Sequence, residues 1–233
     1  MNTLPTAPAQ WFEPDGIPVF EDHTTAEARQ RRLLPSVTNF LGVIARPALN
    51  ESPETLQRTA QLCADIRWGA ERVARGLDID PEDPAKAWLW CFREWTEENC
   101  RKVRWIGQTA VHQALGYACT PWMLIDHRSH GLTLVDLKIQ GLRRTTGTAT
   151  YKSWGYEMAA WRMALQAHGL LGPFQCLTLV MNSQEPHVPV QAAWSEDHLT
   201  QCRRGFLAAR QLWIVENGYN PVGVGVSARE NAA

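Results

Sequence analysis

The chain has 233 residues, a formal net charge of -1, 45% apolar residues and 20% charged ones, which excludes a disordered or fibrous protein and sizes it for one substantial core. Near-neutral charge gives no overall basic sign, so nucleic-acid binding would have to come from a local basic face. No apolar run approaches the roughly 18 residues of a membrane span, and the N-terminus, with Pro5, Pro8 and Glu13, has neither the basic start nor the apolar block of a signal peptide. A cytoplasmic protein with no membrane partner is expected.

The six cysteines are scattered without a Cys-x-x-Cys pair, so neither a zinc ribbon nor a disulfide framework is indicated and they read mostly as buried thiols. The eleven tryptophans are mostly accounted for by core and interface packing.

In chain order, residues 1–32 hold four prolines and no sustained period, which reads as an extended or partly disordered arm before a single domain over 33–218. Ser36 is placed to cap a short helix whose apolar face is Phe40, Leu41 and Ile44, and Arg46-Pro47 ends it. Ser52-Pro53-Glu54 starts a longer helix to about Arg75, with Leu56, Ala60, Cys63, Ile66, Ala70 and Val73 along one stripe. Asp83-Pro84 starts another, carrying Trp88, Cys91, Phe92 and Trp95 before a charged end at Arg101, Lys102 and Arg104.

Residues 111–118, 123–126 and 132–139 are apolar runs of strand length, with 127–131 as the turn between the last two. Side chains two apart on a strand share a face, so Asp136 and Lys138 project together, and Val135 and Leu137 project the other way. Residues 141–150 form a Gly- and Thr-rich loop containing Arg143 and Arg144. A helix over 153–168 carries Trp154, Met158, Trp161 and Leu165 on one stripe and stops at Gly169. Strands follow at 174–181 and 188–193. A last helix opens at Ser195 and runs through Leu199, Cys202, Phe206, Ala209 and Trp213 to Gly218, leaving 219–233 as a tail. The order predicts an α/β fold with a mixed central β-sheet flanked by helices.

Four segments resemble the PD-(D/E)XK nuclease superfamily, in its RecB-like and phage recombination exonuclease branch. Leu34-Pro35-Ser36-Val37-Thr38 is similar to the "PSVT" opening of phage-type members, and Gly116-Tyr117-Ala118-Cys119-Thr120-Pro121 to their "GYAGTPD" segment. Leu134-Val135-Asp136-Leu137-Lys138 is similar to the "(D/E)xK" strand, and 151–161 to the helix carrying "QxxxY". Together they span 34–165 in the family's order.

The resemblance implies a restriction-endonuclease-like αβββαβ core and Mg2+- or Mn2+-dependent cleavage of a DNA phosphodiester, in which strand carboxylates hold the metal. Asp136 is then a metal ligand and Lys138 the lysine that orients or deprotonates the attacking water. Gln108 stands near the family's upstream glutamate, Trp122 in place of the "TPD" aspartate, Cys119 for its small residue and Val73 for the histidine of a "GTxxH" helix. Glu157 and Trp161 replace the glutamine and tyrosine of "QxxxY". With those carboxylates missing, metal binding is expected to be weak or absent. No iron–sulfur cluster is expected, because only Cys176 and Cys202 lie late in the chain.

Several residues keep two readings. Asp136 and Lys138 read as the site or as a solvated ion pair of little energetic weight. Trp122 fills an abandoned metal pocket or stacks a base. Glu157 supplies a migrated carboxylate, and so a second metal ligand, or is a first-turn acid suited to its helix dipole. Asp126 shares the face of Trp122 but lies about 13 Å along the strand, too far to replace a ligand. His112, His127 and His130 show no zinc-ligand pairing and read as surface residues. Arg143, Arg144 and Lys152, with Trp122, are the candidates for nucleic-acid contact; Arg203 and Arg204 are a further pair that touches phosphate or is merely solvated. Two functions are left open: a DNA nuclease with a partly lost metal site, and an inactive pseudonuclease that binds DNA or a protein partner.

Overall fold

The computed structural model describes residues 10–44, 53–140, 151–170 and 172–222, the side chains at 53, 55 and 56 apart. Trp11 and Phe12 are both buried and form β1 (Trp11–Phe12), the middle strand of a small antiparallel sheet with β2 (Pro18–Val19) and β3 (Leu34–Pro35). Between β2 and β3 runs α1 (Thr25–Gln30), opened by a capping box in which Thr24 and Glu27 satisfy each other's backbone N–H groups. From residue 10 onward the segment expected as an extended arm is therefore ordered. Its anchor is Trp11, whose ring centroid lies 6.3 Å from that of Trp213, and burial of one such side chain is worth about 1.5–3 kcal/mol.

Ser36 caps α2 (Val37–Leu41) through its hydroxyl, which accepts from the Asn39 N–H. Next come α3 (Pro53–Ala74) and α4 (Lys86–Asn99). The charged stretch expected to end α4 is instead a strand, β4 (Cys100–Ile106). It is an edge strand, with register shifts between Cys100 and Lys102 and between Val103 and Trp105. Such shifts hide the two-residue alternation, and charge on an edge blocks further strand pairing.

Residues 111–118 do not form one strand of the main sheet. They divide into β5 (Ala110–His112), a 3-10 turn over Gln113–Leu115 and β6 (Tyr117–Cys119), a separate hairpin. The break is at Gly116, whose φ of 64° suits glycine and whose hydrogen faces the Pro221 backbone, where a Cβ would come within 2.5 Å. Then follow β7 (Met123–His127), β8 (Gly131–Gln140), α5 (Lys152–Ala167), β9 (Gln175–Asn182), β10 (Val190–Trp194) and α6 (Glu196–Asn217).

The main sheet is mixed, in the order β10-β9-β8-β7-β4. β4, β7 and β8 pair antiparallel, β8 and β9 parallel, and β9 and β10 antiparallel. A parallel pair requires a crossover, and α5 lies in it. The run α4-β4-β7-β8-α5-β9 thus has the expected αβββαβ order, with the β5–β6 hairpin inserted between its first two strands. On one side of the frame, Phe92 of α4 stacks on Trp95 and meets the Trp122 ring at a tilt. Among the described residues no helix is long and apolar enough to cross a membrane.

Candidate active site

Alternation along β8 sets Asp136 and Lys138 on one face, where Lys138 Nζ lies 2.8 Å from Asp136 Oδ2. The same ammonium is 2.6 Å from Glu157 Oε2. Helix α5 starts at Lys152 and has no acid in its first turn, so Glu157 is a second-turn residue and the dipole explanation for it falls away. Tyr117 donates its hydroxyl to the Ala160 carbonyl, fixing α5 against β6 and with it the approach of Glu157 to the sheet.

Asp136 is buried, with a side chain 2% exposed, and it is not the solvated strand residue that an ordinary surface ion pair would need. Its Oδ1 has no hydrogen-bond partner among the described residues. Burial would push the Lys138 ammonium down; the Asp136 and Glu157 carboxylates outweigh that and hold it above the ordinary lysine value, while Arg67 opposes them. Lys138 is therefore a fixed positive charge between two carboxylates, and its Nζ also sits 5.8 Å from the Trp161 ring centroid.

A second layer comes from α3 and was not read in the sequence. Arg67 Nη2 lies 3.8 Å from Asp136 Oδ1, its Nη1 donates to the Leu137 carbonyl at 3.4 Å, and its guanidinium is 6.0 Å from the Trp122 ring centroid. One turn on, burial pushes the Glu71 carboxyl up, offset in part by Arg67, Arg75 and the Trp122 indole. The signal available was the four-residue spacing of Arg67 and Glu71 beside the apolar stripe of Ile66, Ala70 and Val73, which puts an ion pair at the margin of the buried face.

Trp122 is 1% exposed. Met123 pairs with Val135, so one residue further along both strands sets Trp122 opposite Asp136, where a large apolar ring now stands. Among the described residues its Nε1 closes no hydrogen bond of ordinary geometry, although the indole acts on the Glu71 carboxyl. Gln108 is exposed in the link between β4 and β5, where its backbone carbonyl accepts from the Trp105 indole; among the described residues no hydrogen bond or ion pair joins it to Asp136, Lys138 or Glu157. Lys152 is exposed at the start of α5. Arg143 and Arg144 lie outside the described residues. Asp126 is paired with Arg104 at 2.6 Å, away from the cluster.

Of the three histidines expected at the surface, His127 is buried, at 3% exposure. Its ring packs near Trp95, and its Nδ1 accepts the backbone N–H groups of Ser129 and His130. The turn folds back over its own first residue, which is why a polar-looking loop position is inside.

Among the described residues no three His, Cys, Asp or Glu side chains converge as a metal site. Two carboxylates, Asp136 and Glu157, meet at the Lys138 ammonium, and Asp136 Oδ1 is a buried acceptor without a donor among the described residues. Magnesium is commonly held through one or two carboxylates, with water and phosphate completing its shell, so this pair fits a weakly held hard cation.

No family model matches the chain, and no curated protein matches it. Among solved structures, it is similar to the crystal structure of a protein from Eubacterium rectale named "Putative exonuclease", at 9% identity and a TM-score of 0.48, over 84% of this chain and 85% of that one.

Proposed function

We propose that the chain acts on nucleic acid as a phosphodiester hydrolase of low activity, with DNA as substrate and Asp136, Lys138 and Glu157 as its working group. The observation that carries this reading is the Lys138 ammonium held at 2.8 and 2.6 Å by carboxylates from two different elements, β8 and α5. Such convergence needs the crossover helix to return onto the Asp-x-Lys strand, and a solvated ion pair needs no such arrangement. Mg2+ or Mn2+ held by Asp136 and Glu157 would activate a water and stabilise charge on the scissile phosphate. Lys138, whose Nζ keeps its proton, would hydrogen-bond the attacking water or a phosphate oxygen and hold it in line. Asp136 and Glu157 keep that ammonium in place when no substrate is present.

A specific observation favours a second reading, an inactive DNA- or protein-binding relative. Trp122 stands where a further carboxylate would complete the site, and the ammonium lies between the two carboxylates that remain. Linear single- and double-stranded DNA and RNA, incubated with Mg2+ and then with Mn2+, separate the two. Cleavage that is lost in Asp136→Ala supports hydrolysis; binding of DNA with no cleavage by the wild type in either metal supports the inactive relative.

A further inference from the structure

We infer that Arg67 is the phosphate-binding residue of this site, a role that deepens the proposed function and rests on its reading of the site as one that takes a phosphodiester. Two cations stand at Asp136 among the described residues. Lys138 is engaged by carboxylates at 2.8 and 2.6 Å and its side chain is 17% exposed. Arg67 is held loosely: its side chain is 39% exposed and Nη2 stands 3.8 Å from Asp136 Oδ1, beyond hydrogen-bond reach. A guanidinium has five N–H donors, and among the described residues a single bond is closed here, the long one of 3.4 Å to the Leu137 carbonyl. The cation with donors to spare and access to solvent is Arg67.

Asp136 Oδ1 supplies an independent observation. It is a buried carboxylate oxygen with no hydrogen bond, and Arg67 is the cation facing it. An unmade bond to a buried carboxylate costs free energy, and Arg67 could close it by moving less than 1 Å, an order of magnitude set by ordinary hydrogen-bond length. Other groups hold the guanidinium back: Glu71, one helical turn away, attracts it, and Trp122 offers its ring at 6.0 Å. Arg67 thus spans two acids without being consumed by either. A planar fork in that state is suited to receive two oxygens of one phosphate, and a phosphate there would lie beside Asp136 and Lys138.

The test is a fluorescence-anisotropy titration of the full chain with short labelled single- and double-stranded DNA in EDTA, repeated over a salt series, for wild type, Arg67→Ala and Arg67→Lys. Arg67→Ala should weaken binding about tenfold on every sequence and reduce the salt slope by about one. Arg67→Lys should restore the slope while recovering only part of the affinity, because the charge returns without the fork. Unchanged affinity and slope in Arg67→Ala overturn the proposal, as does Arg67→Lys behaving like wild type deprived of its charge. If Arg67→Ala does not fold, Arg67→Lys decides alone: a wild-type slope with weaker binding supports the role, and a slope reduced by about one overturns it. The hydrolase reading fails separately. DNA binding with an Arg67-dependent slope but no cleavage keeps this assignment and removes hydrolysis, whereas Asp136-dependent cleavage with an Arg67-independent slope does the reverse.

Discussion

Lys138 Nζ lies 2.6 Å from Glu157 Oε2, a contact that joins the Asp-x-Lys strand to the crossover helix. Because Asp136 and Glu157 hold the ammonium above the ordinary value of 10.5, the pair contributes stability that is fully present below that pH and lost as pH rises through the raised folded value. Glu157→Gln should lower the Lys138 pKa, cost about 1–3 kcal/mol and start the alkaline fall in Tm at lower pH. Thermal melts across the alkaline range check this. An alkaline limb identical in both proteins would mean that Glu157 does not hold Lys138.

Helix α5 can deliver Glu157 only because α6 and β10 approach it closely. A Cβ on Gly155 would come within 2.5 Å of Cys202 Sγ and 2.8 Å of the Trp194 ring, and that ring is tethered by its Nε1 donating to the Thr178 hydroxyl. Gly155→Ala should therefore destabilise by about 1–3 kcal/mol, although alanine is the better helix former by about 1 kcal/mol. For a chain of this size that is a fall in Tm of a few degrees, about 2–4 °C per kcal/mol. A gain in Tm would show that α5 moves freely and that its placement of Glu157 is not rigid.

The mixed sheet flanked by helices, the pairing of β7 with β8, and the shared face of Asp136 and Lys138 were legible in the sequence because they follow from short-range rules: apolar runs of strand length and alternation along a strand. Glu157 kept two readings in the sequence, a carboxylate facing the site and a first-turn acid, and the second falls because helix α5 begins early enough to put it in the second turn. β4 was hidden by its own charges and by two register shifts. Trp11 and Phe12 gave too short a run to announce a strand, and they are ordered by contacts with residues far along the chain such as Trp213. Arg67 and Glu71 belong to the same class. Nothing local separates a solvated helix pair from one that meets Asp136, because the distinction is made by a strand some seventy positions later.

His127 makes the turn before β8 sensitive to acid. Its Nδ1 accepts two backbone N–H groups, so protonation there would remove both bonds, and burial first, with His130 second, pushes its pKa below the ordinary 6.5. A depressed folded value means that the unfolded chain binds the proton more readily. Stability is then present above the unfolded pKa and lost as pH falls through the folded one. His112, lowered by burial, acts in the same sense. Tm should fall as pH is taken from neutral to about 5, near the lower end of the histidine range, and His127→Asn, which keeps an acceptor near Nδ1, should lower Tm at neutral pH and flatten the decline. An acid limb of unchanged steepness in that variant would place the titrating group elsewhere.

Trp122 decides whether a further carboxylate can be placed beside Asp136. It is 1% exposed, packs with its ring centroid 5.6 Å from that of Phe92, and stands one register step beyond the Met123 and Val135 pair, opposite Asp136. Emptying a tryptophan-sized volume costs about 3–5 kcal/mol, and a carboxylate left there would repel Asp136 unless a cation joined them. Trp122→Asp should thus be strongly destabilised without metal, and divalent cation should restore part of its Tm, because a ligand that binds the folded state alone stabilises it by mass action. Gln108→Glu should change neither stability, beyond about 0.5 kcal/mol, nor metal affinity, since Gln108 is exposed in the link between β4 and β5. Melts of wild type, each single variant and the double variant, with EDTA and with Mg2+ or Mn2+, resolve these contributions, and calorimetric titration gives the affinities. A metal-dependent rise in Tm from Gln108→Glu and none from Trp122→Asp would move the cation away from the face shared by Asp136 and Lys138.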